Sequence, residues 1–270
     1  MLKKILLGLS VVLISGFLVY YNTTTINPEQ LKIREEIIVS DKADEKLNNL
    51  LISYFSDARF NELDNDKLFD RAVLIIRDFK PDLIIFGGDL FSSPPSGEDL
   101  EKVKNALCDL NPRYGKYAVL GELDLKYRDS IEQLYRDCNI KILDNENVQI
   151  GLDTHSFLNL VGLDLGHDHS ACFSGLNNSY FTLAVGHYPD RFDEITNYSF
   201  DYMLSGHSLG IQLNIPLFSL FSRNEGYEKY AHGKTLKNDH VLDISNGLGM
   251  AEKKARFNSD AEIVFYRFSN

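Results

Sequence analysis

The 270-residue sequence has only three cysteines, no tryptophan and a deficit of basic residues. Three cysteines cannot all pair with one another, are too few for a disulfide-rich scaffold and lack zinc-finger spacing. We therefore expect Cys108, Cys138 and Cys172 to be ordinary half-buried thiols. The 28 Lys and Arg residues stand against 39 Asp and Glu residues, which gives a formal charge of −11. Because binding to a phosphate polymer depends on clustered basic residues, we expect no nucleic-acid partner.

One long hydrophobic run is present, and it lies near the N-terminus. Residues 5–21 carry no charge and follow Lys3 and Lys4. This length is at the short end for a membrane span, and a cleaved signal peptide is the alternative. Because no small-x-small cleavage site follows, we interpret residues 1–21 as an uncleaved signal anchor, a transmembrane helix. The two lysines place its N-terminus inside, so we expect the rest of the chain outside the cytoplasm.

The remainder of the sequence is interpreted as a stalk and one domain. Residues 22–46 are mostly polar, with one short apolar patch at 37–39, and form the predicted stalk. Residues 47–270 contain no Pro- or Ser-rich linker, no repeat and no low-complexity tract. Hydrophobic residues make up 44% and charged residues 25% of the chain, which are globular proportions. We therefore predict a single globular domain over residues 47–270.

The hydrophobic pattern of this domain predicts an α/β fold with two sheets. Residues 65–79 place apolar side chains on one helical face, Ser96 and the acids after it begin another helix, and a third is expected near 128–138. Short apolar runs predict strands, the early ones of a kind buried on both faces. These runs are 50–55, 81–86, 114–120, 140–143, 148–150, 157–163, 181–185, 202–204, 241–244 and 263–268. Helices that alternate with strands, followed by a series of strands, are typical of an α/β domain with two sheets.

Acids and histidines follow five of these apolar runs. They are Asp57, Asp89, Glu122 with Asp124, His187 and His207. Ligand crevices of open α/β sheets lie beyond the carboxyl ends of the strands, so these side chains should meet at one edge. Mixed carboxylate and imidazole ligands are typical of Mn, Fe or Zn sites rather than Ca sites. Strand ends also favour polar turn residues, but two Gly-His pairs and one Gly-Gly-Asp make a metal site the better interpretation.

The same stretches resemble the motifs of the calcineurin-like metallophosphoesterase family, especially its bacterial membrane-associated members. The matching stretches are SDAR (56–59), FGGDL (86–90), GELD (121–124), VGHYPD (185–190) and SGHSLGIQ (205–212), and similarity continues through 241–249 and 255–268. The resemblance implies an α/β two-sheet sandwich flanked by helices, with a metal pair between the sheet edges. It also implies hydrolysis of a phosphomonoester, a phosphodiester or a pyrophosphate.

The resemblance implies that one of the two metal subsites is incomplete. The positions of the first metal fall on Asp57, Arg59, Asp89 and Leu209, where the family has histidine at the second and fourth. Neither a guanidinium nor a leucine side chain can ligate a metal. The family's catalytic histidine, which protonates the leaving group or stabilises charge, falls on Leu123.

The positions of the second metal remain complete. They fall on Asp89, Glu122, His187 and His207, two carboxylates and two imidazoles that suffice for one divalent ion. We therefore expect one divalent transition metal ion (Mn, Fe or Zn) rather than two. The loop His167-Asp168-His169 could supply substitute ligands, but a solvated polar loop is the better interpretation.

Arg59 has two interpretations beside this site. Its guanidinium could stand in for the missing cation and bind a phosphate. It could instead only neutralise Asp57 in an abandoned subsite. The sequence leaves both open.

Three classes of function follow. The first is a metal-dependent phosphoesterase of the cell envelope with one metal, reduced or altered activity, and a phosphorylated small molecule or lipid head group as substrate. The second is an inactive family member that binds a phosphorylated envelope ligand or a protein. The third is a structural domain without a ligand, against which the four retained ligand positions argue. The absence of the family's histidines at positions 59, 123 and 209 argues against full family activity.

Overall fold

A computed structural model of the chain describes residues 2–216 and 222–269. The α-helices are α1 (Leu2–Tyr21), α2 (Glu45–Asn48), α3 (Asn65–Phe79), α4 (Gly97–Cys108), α5 (Glu122–Lys126), α6 (Arg128–Asp137) and α7 (Phe192–Ile195). The strands are β1 (Leu31–Val39), β2 (Ile52–Phe55), β3 (Leu83–Phe86), β4 (Lys116–Ala118), β5 (Ile140–Ile142), β6 (Glu146–Gly151), β7 (Phe157–Gly162), β8 (Phe181–Val185), β9 (Tyr202–Ser205), β10 (Gly233–Lys237), β11 (His240–Ile244) and β12 (Ala261–Ser269). Short helical turns at Asn22–Ile26, Asn27–Glu29 and Pro189–Arg191 complete the described elements.

Helix α1 extends from the domain without burying any residue. Together with the turns that follow it, to Glu29, it is long and apolar enough to cross a membrane. A signal sequence has a similar length and apolar composition. The helix could therefore anchor the chain to a membrane.

The strands form two six-stranded sheets. The first has the order β1-β12-β2-β3-β4-β5 and the second β10-β11-β9-β8-β7-β6. Neighbouring strands are parallel except in the pairs β12–β2, β10–β11 and β6–β7. The predicted fold class, an α/β two-sheet sandwich flanked by helices, is confirmed.

Strand β3 shows why the central runs are apolar throughout. Leu83 and Ile85 belong to a core shared with residues of the second sheet, such as Leu158. Ile84 and Phe86 belong to a different core, under the helices. Because side chains alternate between the faces of a strand, a strand buried on both faces needs apolar residues at every position.

The helices follow the local signals in the sequence. Helix α3 has the predicted bounds and buries Leu68 and Ile76 on one face, and it ends where Lys80 takes a left-handed conformation (φ 51°). Helix α4 begins after Ser96, whose hydroxyl accepts the amide of Asp99 while the Asp99 carboxylate accepts the amide of Ser96. This reciprocal arrangement satisfies two amides that a helix start leaves unpaired.

Two edge strands were not predicted, and one of them corrects the stalk. Strand β1 pairs in parallel with β12 along its whole length, so the stalk interpretation of residues 22–46 is wrong for residues 31–39. Its polar residues look like those of a solvated stalk, but they have partners inside the protein: the Arg34 guanidinium lies 2.9 Å from Asp243 and 3.1 Å from Glu262. Strand β10 pairs with β11 at the edge of the second sheet.

The cysteine prediction is wrong for two of the three residues. Cys108 at the end of α4 and Cys138 just after α6 form a disulfide across 30 residues of sequence. Cys172 is a free thiol, fully rather than half buried. The pairing depends on the packing of α4 beside α6, which cysteine spacing does not reveal.

Candidate metal centre

The predicted site residues lie at the carboxyl ends of strands from both sheets. Asp57 follows β2 and Asp89 follows β3, whereas His187 follows β8 and His207 follows β9. One ligand atom from each of these four residues lies within 4.8 Å of the others. The topology therefore brings together side chains that are up to 150 residues apart in sequence.

Glu122, the fifth predicted ligand, borders this group at the start of α5. Its Oε2 lies 2.9 Å from His187 Nε2 and 3.2 Å from His207 Nδ1. Burial raises the pKa of Glu122, but the two neighbouring imidazoles lower it by more, so the net shift is downward. Glu122 is therefore an anion that faces both histidines.

The backbone at the site is held in conformations that are unfavourable for most residues. Asp57, Asp89 and His207 have φ values of 54°, 57° and 67°, in the left-handed region. The amide of Asp57 donates to the Gly88 carbonyl at 2.8 Å. A side chain at Gly88 (φ 93°) would come within 2.8 Å of His187 Nδ1. Such strain is concentrated at functional sites, where it aims side chains.

The carbonyl of Gly87 fixes the orientation of the His187 ring. Nδ1 lies 2.7 Å from this oxygen, which can only accept, so Nδ1 carries a proton and donates it. Nε2 then faces Glu122 at 2.9 Å and Asp89 at 3.5 Å. Burial lowers the pKa of His187, but Asp89 and Glu122 raise it well above its usual value. The carboxylates thus create a place for a positive charge at Nε2.

His207 is oriented in the same way by a different segment. Its Nε2 donates to the Glu225 carbonyl at 2.9 Å, which leaves Nδ1 toward Glu122. Nδ1 is buried and has no hydrogen-bond partner. Histidines that bind metals commonly donate their other ring N–H to a carbonyl or carboxylate.

The aspartates also fit a metal ion. Asp57 is fully buried, and its Oδ2 accepts the amide of His207 at 2.9 Å while Oδ1 has no hydrogen-bond partner. Asp89 is fully buried as well, and burial raises its pKa. A buried carboxylate oxygen without a donor is costly unless a cation satisfies it. Together with the two oriented imidazoles, these oxygens fit a divalent transition metal.

Arg59 lies at the edge of this cluster, with a side chain that is only 13% exposed. Its Nη2 is 3.4 Å from Asp89 and 3.9 Å from Glu122, so it pairs with these acids rather than with Asp57, its expected partner in an abandoned subsite. Burial lowers the pKa of Arg59, but the surrounding acids raise it by more. The net shift is upward, so the guanidinium stays charged. Its Nε is buried without a hydrogen-bond partner.

Asp124 supports the site from behind. Its carboxylate accepts the amides of Asp89, Leu90 and Gly121 at 2.7, 2.9 and 3.0 Å. Burial, with a further contribution from Asp89, raises its pKa to about 7. The sequence placed this acid among the strand-end acids, but its part is to hold the backbone rather than to face the cluster.

The two histidines of the 167–169 loop lie in a separate polar group. His167 is 79% exposed and contacts Glu194 at 3.0 Å. His169 is 1% exposed, between Asp164 at 3.6 Å and Glu194 at 3.5 Å, so the solvated-loop interpretation is wrong for His169. Neither belongs to the Asp57–His207 group.

A cleft of about 480 Å³ opens beside the cluster. Its lining includes Arg59, Glu122, His207 and Leu209, and also Tyr188 and Tyr227, whose rings lie 4.3 and 5.2 Å from the His207 ring. Neither tyrosine was predicted from the sequence, because no motif marks them and their place depends on the folding of residues 222–230 over the cleft.

Comparison with known proteins gives relatives that match most of the chain. No protein-family model matches the chain. It is 26% identical over 247 residues to the uncharacterized metallophosphoesterase YkuE of Bacillus subtilis (89% of this chain, 86% of YkuE) and 27% identical over 283 residues to the uncharacterized metallophosphoesterase YkoQ of the same organism (97% and 98%). It is 24% identical over 278 residues to the UDP-2,3-diacylglucosamine pyrophosphatase LpxG of Chlamydia muridarum (82% and 84%). A crystal structure of a Thermus thermophilus protein aligns with a TM-score of 0.48 at 9% identity over 74% of this chain and 90% of that one.

The two-sheet sandwich and the carboxylate–imidazole cluster agree with the fold and the metal site that the motif resemblance implies. Three relatives that match most of the chain are named as metallophosphoesterases or as a pyrophosphatase, and this similarity supports the metallophosphoesterase family. The resemblance stated from the motifs is confirmed, and the family implies the use of a divalent metal.

Proposed function

We propose that the protein is a metal-dependent phosphoesterase of the cell envelope that works with a single divalent transition metal ion, Mn, Fe or Zn. The observation that carries the proposal is the buried cluster in which both imidazoles are oriented by backbone carbonyls and turn their second nitrogen toward carboxylates. Asp89, Glu122, His187 and His207 would hold the ion, with Asp57 beside them. When bound, the metal would supply positive charge to a phosphoryl oxygen.

Arg59 supplies a second, permanent positive charge on the same side of the cleft. Burial and the acids around it restrict the guanidinium, so it needs little reorganisation to meet a phosphate. A guanidinium offers paired N–H donors that match phosphate oxygens. We therefore assign Arg59 to phosphate binding, in the place where the family has its first metal.

The substrate that we propose is a phosphorylated small molecule or a phosphorylated lipid head group. LpxG, a relative along most of the chain, acts on UDP-2,3-diacylglucosamine, a pyrophosphate that carries acyl chains. Helix α1 supports a membrane-linked substrate because it could hold the cleft close to a lipid surface.

The direct test is hydrolysis by the full chain, purified in detergent and stripped of metal by a chelator. We expect slow turnover of 4-nitrophenyl phosphate or bis(4-nitrophenyl) phosphate after Mn²⁺ or Zn²⁺ is restored, and none in the stripped protein, because the carboxylates alone would repel the substrate. Turnover that is indifferent to metal removal would contradict the proposal. The readouts are released nitrophenol and metal content, measured on the same sample.

A second candidate is an inactive family member that binds a phosphorylated envelope ligand. It is favoured by Leu123, which stands where the family has a catalytic histidine and is only 9% exposed beside Asp89. A leucine can neither donate a proton nor stabilise charge. This candidate would be preferred if the protein bound one equivalent of metal and also bound phosphate, but hydrolysed neither ester.

We further propose that the domain lies outside the cytoplasm and stays attached to the membrane. Lys3 and Lys4 precede the uncharged run of residues 5–21, a pattern that keeps this end of the helix in the cytoplasm. The Cys108–Cys138 disulfide supports this side of the membrane, because such bonds are rare in the reducing cytoplasm.

This topology predicts how the protein responds to protease. Protease added to intact cells or protoplasts should digest the domain, whereas inside-out vesicles should protect it. A cytoplasmic protein in the same sample controls for lysis. Full protection in intact cells would mean the reverse orientation, and a soluble form that starts near Tyr21 would mean a cleaved signal peptide.

A further inference from the structure

Tyr227 is a polar side chain of the cleft to which no role has yet been given. It is half-buried, and its ring meets the His207 ring edge-on at 5.2 Å. It lines the same cleft as Arg59 and Glu122. A phosphate ester held at the metal cluster and Arg59 would therefore have Tyr227 on the wall of its binding site.

The segment that carries Tyr227 is anchored on both sides of this residue. On one side, the Glu225 carbonyl accepts the ring N–H of His207, and the Gly226 carbonyl accepts the amide of Asp190 at 2.9 Å. On the other side, the Asp190 carboxylate accepts the amides of Lys229 and Tyr230. These bonds hold the backbone of Tyr227 over the cleft.

Gly226 shows how closely this segment approaches the site. Its φ is 87°, and a Cβ there would come within 2.8 Å of several atoms of the Tyr188 ring. A residue with a side chain would be strained in its backbone and would clash with a buried ring. Tyr227, the next residue in the chain, is therefore held close to the His207 ring.

The hydroxyl of Tyr227 is left with a proton to donate into the cleft. Its oxygen accepts a hydrogen bond from the Asn224 side-chain amide at 2.9 Å. An amide N–H can only donate, so this bond uses the oxygen's acceptor capacity and leaves the phenolic O–H for another partner. A phenol that is oriented in this way is a good donor to an oxygen that gains negative charge.

We propose that Tyr227 donates a hydrogen bond to the leaving-group oxygen, the part that the family's histidine would take at position 123. The inference rests on the proposed function. In the reaction, a water oxygen forms the new bond to phosphorus and releases a proton to the solvent, and the bond from phosphorus to the leaving oxygen breaks with its electron pair going to that oxygen. The Tyr227 O–H stabilises this charge until the oxygen takes a proton from water, so no co-reactant besides water is needed.

The test compares two esters that differ only in the leaving group. The metal-loaded full chain is assayed on 4-nitrophenyl phosphate and phenyl phosphate as wild type, as Tyr227→Phe and as Tyr180→Phe. Tyr180 packs on Phe157 at the amino ends of β7 and β8, at the opposite end of these strands from the metal cluster. Tyr227→Phe should lose about tenfold or more in kcat on the phenyl ester, but less than about threefold on the nitrophenyl ester, because a stable phenolate needs less help. Tyr180→Phe should match wild type on both.

Readouts other than activity separate this role from a structural one. Metal content and the affinity for inorganic phosphate should be unchanged in Tyr227→Phe, since neither involves a leaving group. Equal losses on the two esters, or a loss of metal or phosphate binding, would overturn the assignment of Tyr227 while the phosphoesterase function stands. A wild-type protein that binds metal but cleaves neither ester would overturn the proposed function and this inference with it.

Discussion

Replacement of His207 by alanine is expected to remove the metal from a protein that otherwise holds about one equivalent. His207 Nδ1 is buried, lacks a hydrogen-bond partner and faces Glu122, so it is poised as a ligand. Changes that only disturb the partners of ligands already cost about 10- to 100-fold in metal affinity. Loss of a ligand should exceed that and leave less than a tenth of an equivalent after dialysis.

The control for this experiment has to address the backbone of the site as well. His207 has a φ of 67°, which alanine tolerates poorly, whereas glycine adopts it freely. His207→Gly therefore removes the same ligand without the strain and should lose metal equally. His155→Ala, at an exposed turn, should retain the wild-type content.

Elemental analysis after supplementation with Mn²⁺ and Zn²⁺ decides between the possible results. Two equivalents in wild type would mean that other ligands complete the first subsite and that the single-metal prediction is wrong. No metal at all would move the protein to the structural class. Unchanged content in both His207 variants would show that the ion binds elsewhere.

Arg59→Ala is expected to lower the hydrolysis rate about tenfold or more. Removal of a charge-assisted donor to a phosphate costs about 1.5–3 kcal/mol, which corresponds to that loss in rate. Arg59→Lys keeps the charge but not the paired donors, so its hydrolysis rate should lie between those of wild type and Arg59→Ala. Arg77→Ala, which removes an exposed ion pair with Asp109, is the control and should have no effect. An Arg59→Ala protein as active as wild type would remove Arg59 from the mechanism.

The largest gain is expected from restoring the family's three histidines. The variant that combines Arg59→His, Leu123→His and Leu209→His should bind nearly two metal ions and hydrolyse the aryl esters faster. The second cation would neutralise phosphoryl charge, and an imidazole at position 123 would assist the leaving oxygen. Arg59 and Leu209 already have φ values of 45° and 51°, so histidine adds no new backbone strain there.

The comparison of this triple variant with wild type separates the candidate functions. If wild type is inactive and the variant gains activity, the chain has lost its catalysis and the binding function is preferred. If both bind metal and remain inactive, the cleft differs from the family's and the catalytic proposal is wrong.

Local sequence patterns predicted two kinds of element correctly: helices with one apolar face, and strands that are buried on both faces. The 65–79 helix has its predicted bounds because one face is apolar and left-handed Lys80 ends it. The edge strands β1 and β10 were missed because their sequences are polar, and the partner of β1 lies more than 200 residues later in the chain. The Cys108–Cys138 disulfide was missed for a similar reason, since only the packing of two helices brings the sulfurs together.

The sequence by itself determined the chemistry available to the site: four acids and two histidines at strand ends, and Arg59, Leu123 and Leu209 where the family has histidine. A motif consists of side-chain types in a fixed order, so these residues could be identified from the sequence alone. Only the tertiary structure decided which nitrogen of each histidine faces the carboxylates, which acids Arg59 meets, and that Tyr227 lies over the cleft. Each of these depends on atoms from distant segments, such as the Gly87 carbonyl that lies 100 residues before His187, and hydrogen bonds of that range have no signature in a local pattern.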